Sequence, residues 1–125
     1  MADYTPIFGA GLRPRSFTVG ATAVVGGQVV ALSAADTVIP AGAASTAAVG
    51  VAGHDAAIGT PVTVWPLPGV THEVTASAAV AVGDNLATAA NGQVSAIGAG
   101  TFGQLIGVAA TAAAGAGIKL QMIGR

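Results

Sequence analysis

The chain has no cysteine, which excludes a disulfide framework and any thiolate metal site. Charge is nearly absent too: four basic residues (Arg13, Arg15, Lys119, Arg125) and five acidic ones (Asp3, Asp36, Asp55, Glu73, Asp84) make up 7% of the chain, against about 25% in an ordinary soluble domain. A nucleic-acid binder needs a basic surface, and a pI near 6.0 excludes that class. A solvated, disordered chain needs high charge and few apolar residues, and 53% apolar content excludes that one. Aromatic residues are 4% of the total. The longest uncharged span, residues 85–118, is broken by Asn91, Gln93, Ser95, Gln104 and seven glycines, so no transmembrane helix is expected. The first residues, MADYTPIF, lack the basic and apolar regions of a secretory signal.

Small side chains fill the space these absences leave, with 30 alanines and 19 glycines in 125 residues. An alanine adds about one methyl group to a core, while ordering its backbone costs roughly 1–2 kcal/mol. Such a core is thin, and the composition predicts further burial against other subunits or partners. Residues 1–16 carry Pro6, Gly9, Gly11 and Pro14 with no sustained period and read as an extended arm. Residues 17–125 read as a single β domain. Runs rich in valine, isoleucine and threonine predict strands at 17–19, 28–32, 48–52, 61–65, 70–75, 93–97, 104–109 and 117–123. Two of them alternate with period two: Val62 and Val64 oppose Thr63 and Trp65, and Ile118, Leu120 and Met122 oppose Lys119 and Gln121.

Alanine clusters such as 87–90 and 112–114 have helical propensity, but glycine or asparagine interrupts them, and short isolated helices are marginal. At most a short helical turn is allowed near His54–Ile58, and Asn91-Gly92 predicts a tight hairpin turn. Val49-Gly50-Val51-Ala52 returns as Ile106-Gly107-Val108-Ala109 fifty-seven residues later. This suggests a weak internal repeat over about 27–66 and 83–123, with each glycine suited to a bulge or a close backbone approach. The fold class expected is all-β, a small β-barrel or sandwich-like (β-tulip-like) domain.

No motif assembles a catalytic, cofactor or metal site. The run Gly98 to Gly103 has the spelling of a dinucleotide fingerprint, but a strand is expected after it and no acid follows Asp84. His54-Asp55 and His72-Glu73 invite an oriented imidazole, yet strand neighbours point to opposite faces, and Asp55 in a turn bonds local backbone. No serine lies in a G-x-S-x-G elbow. Arg13-Pro14-Arg15 is the single basic cluster. Two arginines fall far short of the roughly 6–10 phosphate contacts of a non-specific nucleic-acid binder, but they suit carboxylates on a protein partner, with Tyr4 and Phe8 as apolar anchors. Residues 16–124 hold four acids and one base, so arm and body differ in sign. Trp65, followed by Pro66-Leu67-Pro68-Gly69, is either a core anchor or an aromatic contact between subunits.

The ordered blocks Gly26-Gly27-Gln28-Val29-Val30, Ala48-Val49-Gly50-Val51-Ala52, His54-Asp55-Ala56-Ala57, Pro61-Val62-Thr63-Val64, Gly69-Val70-Thr71-His72-Glu73-Val74, Val82-Gly83-Asp84-Asn85-Leu86, Asn91-Gly92-Gln93-Val94 and Ile106-Gly107-Val108-Ala109 carry a resemblance. Over about residues 4–123 the chain resembles the alanine- and glycine-rich capsid decoration (cement) proteins of tailed bacteriophages. The resemblance implies a non-enzymatic homotrimer at three-fold positions on the outside of the head, bridging copies of the major capsid protein, with no cofactor, nucleic-acid or membrane partner. It also implies an arm, here about residues 2–17, that engages the shell. The capsid-binding candidates are Tyr4, Pro6, Phe8, Arg13 and Arg15, and the trimer-interface candidates are Trp65 and His72. The alternatives are another virion β-module, such as a tail or fibre domain, and a small-molecule-binding β-barrel.

Overall fold

Valine-rich runs bounded by turn residues form short strands throughout residues 14–125, the part of the chain that the computed structural model describes. β1 (Arg15–Val19), β2 (Val29–Ala34), β3 (Thr37–Pro40), β4 (Ala48–Ala52) and β5 (Pro61–Pro66) close into a barrel in the order β1-β3-β2-β4-β5. The closing contacts of β1 are parallel to β3, through Thr18–Thr37 and Val19–Val38, and antiparallel to β5. Alternation sends Phe17, Val19, Val30, Val38, Ala52, Val62 and Val64 inward, where each is at most 7% exposed. Burying one such side chain contributes about 1.5–3 kcal/mol, enough for a small barrel to hold together on valine.

β6 (Thr71–Thr75), β7 (Asn85–Thr88), β8 (Val94–Ala96), β9 (Gly107–Ala109) and β10 (Lys119–Gly124) form a second sheet in the order β6-β10-β9-β7-β8. Strand for strand, its pairings match those of the barrel. The connecting loops match as well: Gly27 N–H donates to Ala52 O and Gly83 N–H to Ala109 O, both at 2.8 Å, and the two glycines take φ of 91° and 86°, a left-handed conformation that costs glycine nothing. The difference lies at the seam. Where β1 and β3 pair over two residues, the second sheet has a single parallel bridge, Ala76–Val94.

That leaves one side of β6 open. Bonds from Gly124 N–H to Val70 O and from Ala76 N–H to Ile118 O set the phase, so His72 and Val74 bond β10 while Thr71, Glu73 and Thr75 aim their backbone groups away from it. No strand ladders with that side among the described residues.

The second core is shared. Val29, Ala31, Ala41, Val51 and Leu67 of the first half pack with Val74, Leu86, Val94, Ile106, Leu120 and Met122, so the barrel's outer wall covers one end of the second sheet. Hydrogen bonds pin the overlap: Ala44 N–H to Thr88 O, Thr88 Oγ1 to Gly42 O and Gly92 N–H to Ala41 O, at 2.7–2.8 Å.

Several local expectations shift. β1 begins at Arg15, not Phe17. β3 and β7 are strands that the residue pattern did not suggest, and β8 and β9 are shorter than expected. Gln104 lies in a 3₁₀ turn, Phe102–Gln104, where its side chain and Thr101 form a capping box. Residues 54–58 contain bends and a bridge through Ala56, with no helical turn. Asn91 and Gly92, with φ of 60° and 69°, form the hairpin turn between β7 and β8, since only a mirror-image turn matches the strand twist. In the β2–β4 ladder Val49 is an extra residue, and Gly50 beside it passes so close to β5 that a Cβ there would overlap the Trp65 carbonyl.

Candidate functional site

The described chain starts at Pro14 on the rim of an apolar groove of about 550 Å³ at one end of the barrel. Its walls are the ends of three strands, with Leu32 from β2, Val49 from β4 and Val64 from β5, and the prolines Pro66 and Pro68 close one side. Arg15 and Asp36 supply the groove's charge and neutralise each other in a salt bridge, both side chains remaining solvent-exposed. Arg15 also lies over the Phe17 ring, 4.6 Å from its centroid. Asp36 reaches Arg15 because the two-residue β2–β3 turn puts it at φ 51°, a conformation that aspartate tolerates.

Of the capsid-binding candidates, Arg15 therefore stands at the groove with its guanidinium already paired. Tyr4, Pro6, Phe8 and Arg13 lie outside the described residues. Trp65 faces outward on β5, 37% exposed, opposite Val51, and its indole Nε1 crowds Gly53. His72 is buried at 7% exposure, and its Nε2–H donates to the Pro66 carbonyl at 2.8 Å. Burial lowers its pKa below the ordinary value, only partly offset by that bond. Trp65 thus stands on an outer wall and His72 inside, bonded to the residue that follows Trp65.

The remaining polar side chains tie the backbone together. His54 accepts the Thr63 N–H at Nε2 (3.1 Å), so its proton sits on Nδ1, which donates to the Asp55 carbonyl (2.9 Å). Asp55 was expected to bond local backbone, but it accepts the Gly26 N–H, twenty-nine residues away (2.9 Å), and so joins two loops. Asp84 accepts the Ala81 N–H. Glu73 stands on the outer face of β6 opposite the buried His72 and pairs with Lys119 at 3.9 Å. Among the described residues no three His, Cys, Asp or Glu side chains gather to hold a metal, and no helix is long and apolar enough to cross a membrane. The groove offers an apolar surface for contact.

Sequence reasoning missed Leu32, Asp36, Val49, Pro66 and Pro68 as parts of one groove, because they come from three separate segments. It also passed over Phe102, which is 89% exposed on the loop between β8 and β9. The available signal was a lone aromatic residue among Gly100, Thr101 and Gly103.

No curated protein matches this chain. Among solved structures, the head fiber gp8.5 N base of bacteriophage phi29 is similar to it, with a TM-score of 0.69 at 22% identity over 90% of this chain and 92% of that one. At that identity the likeness establishes the fold. The family profile described as phage cement protein matches residues 14–124, from the groove's rim through the last strand. With a match over the whole two-sheet body, the chain belongs to the phage cement protein family.

Proposed function

We propose that the chain is a capsid decoration protein that binds as homotrimers on the outside of a phage head at three-fold positions, bridging capsomers of the major capsid protein and stabilising the expanded shell. Family membership makes it a structural component that binds a phage capsid, and that membership carries the reading. The geometry agrees with it: the polar side chains of the body serve the fold, and the root of the arm opens on an apolar groove. In this reading residues 1–13, with Tyr4, Pro6, Phe8 and Arg13, engage the shell together with Arg15, and the protein needs no cofactor, nucleic acid or membrane. We further propose that residues 17–125 act as one unit behind a 16-residue arm. Three arms per trimer raise the effective concentration at the shell, so modest contacts sum to firm attachment.

The likeness to a head fiber base favours one second reading, a β-module that seats a further structure on the head. The test is deletion of residues 2–13, which spares β1. The truncated protein is expected to fold and to leave expanded heads bare when the two are sedimented together. Full coating by the truncated protein would reject the arm as the anchor.

A further inference from the structure

We propose that the groove of the barrel receives a second copy of this chain, with Phe102 of one copy seated against the groove of the next. This rests on the reading that copies assemble, and it names the faces that meet.

The two halves pair alike, so positions in one have counterparts in the other. Arg15–Val64 corresponds to His72–Met122, Leu32–Val38 to Thr88–Val94, and Val30–Gly50 to Leu86–Gly107. The groove residues Arg15, Leu32, Val49 and Val64 are thus the counterparts of His72, Thr88, Ile106 and Met122. In the second half those four are 7%, 2%, 3% and 0% exposed, because the barrel's outer wall (Val29, Ala31, Val51) and the connector 41–47 close over that end. In the first half the same end is the open groove, with Leu32 44% exposed.

What would close it can be read by the same correspondence. The counterparts of Val29, Ala31 and Val51 are Asn85, which is exposed, Ala87, which is already buried, and Val108, which is half-buried, and that of Trp65 is Ile123, which is 43% exposed. The counterpart of the connector 41–47 is the loop carrying Phe102, the most exposed large apolar side chain among the described residues. The chain therefore uses this contact once internally and leaves, among the described residues, an open groove on the first half and, on the second, a partly covered outer wall with Ile123 and an aromatic knob exposed. Among the described residues the two do not meet within one molecule, since the groove is open and Phe102 is bare.

Repeating the contact between copies gives a head-to-tail interface, which forms a ring when the rotation closes. Three chains would present six similar lobes. The groove suits an apolar knob, because its two charges are paired with each other and leave no uncompensated charge to bury. A buried aromatic anchor is the residue type that dominates such interfaces.

The chain lacks cysteine, so a variant with Ala35→Cys in the groove lining and Thr101→Cys beside Phe102, both at exposed positions, reports the contact without background and keeps the aromatic anchor. A short thiol cross-linker is expected to join chains into a ladder ending at three on a denaturing gel, whereas in either single variant no two cysteines meet at the contact and the chains stay single. Separately, Phe102→Ala is expected to drop the solution mass from about three times 11.8 kDa to that of one chain, with circular dichroism unchanged. Wild-type trimers that coat heads, without a ladder in the double variant and with trimer mass kept by Phe102→Ala, would overturn the groove contact and leave the decoration reading standing. Loss of the trimer on deleting residues 2–13, with trimer mass kept by Phe102→Ala, would assign the groove to the arm and overturn the proposal. A wild-type chain that neither self-associates nor binds heads would remove the decoration reading itself.

Discussion

Gly50 and Trp65 approach so closely across the β4–β5 ladder that a methyl group on Gly50 would overlap the Trp65 carbonyl oxygen and the Val64 side chain. The obstruction is backbone and cannot rotate away. Gly50→Ala is expected to destabilise the fold by about 1–3 kcal/mol, a drop in Tm of roughly 3–6 °C per kcal/mol for a chain of this size. Gly42→Ala, where a Cβ meets open space, is the control and should leave Tm unchanged or raise it slightly. Differential scanning calorimetry on the pair checks both.

Gly92 is constrained twice, by φ of 69° and by the Gln28 Cβ and the Val29 carbonyl, each 2.7 Å from where its own Cβ would be. Gly92→Ala should therefore cost about 1–3 kcal/mol. Because the neighbours belong to the first half, the loss should appear as one cooperative transition for the whole body in a urea titration.

His72 gives stability a pH dependence of known sign. Its folded pKa is depressed by burial, so as pH falls below about 6.5 the unfolded chain takes up a proton that the folded chain refuses. Stability is complete above that pH and declines as pH falls toward the lower, folded value. Urea midpoints at pH 7.5 and 5.5 should differ more for wild type than for His72→Gln, which lacks the titrating ring.

Arg15 and Asp36 form an exposed pair, and such pairs contribute about 0–1 kcal/mol. Asp36→Asn, which removes the charge and keeps a residue that tolerates φ of 51°, should leave Tm nearly unchanged. Arg15→Glu should also fold, yet sedimentation with expanded heads is expected to show weakened coating if the arginine faces the shell, and unchanged coating would remove Arg15 from the contact.

The residues themselves made most strands readable, because β5 and β10 bury valine, leucine and methionine with a clear alternation, β2 opens on a buried valine pair, and Asn91-Gly92 spells its turn. β3 was hidden by its length, four residues that follow a left-handed Asp36 and end on Pro40. β7 was hidden by composition: Asn85, Ala87 and Thr88 carry a weak strand signal beside one leucine, and pairing with β8 and β9 on either side decides their conformation. The site divides in the same way. The arm and Arg15 stand out as the only basic cluster, whereas the groove joins Leu32, Val49, Val64 and Pro68, whose proximity exists only once the barrel has closed.

The open side of β6 bears on how such a protein survives at high concentration. Bare backbone groups along a strand are a template for aggregation, and a charge on the edge is a usual defence. Glu73 is the acid on that strand, and its side chain stands exposed. A second copy adding through β6 would have to strip water from Glu73 and its partner Lys119, which lies 3.9 Å away. The sparse charge of this chain is thus spent where uncontrolled fibre growth would start, and turbidity of concentrated Glu73→Val, rising over time where wild type stays clear, would make that protection visible.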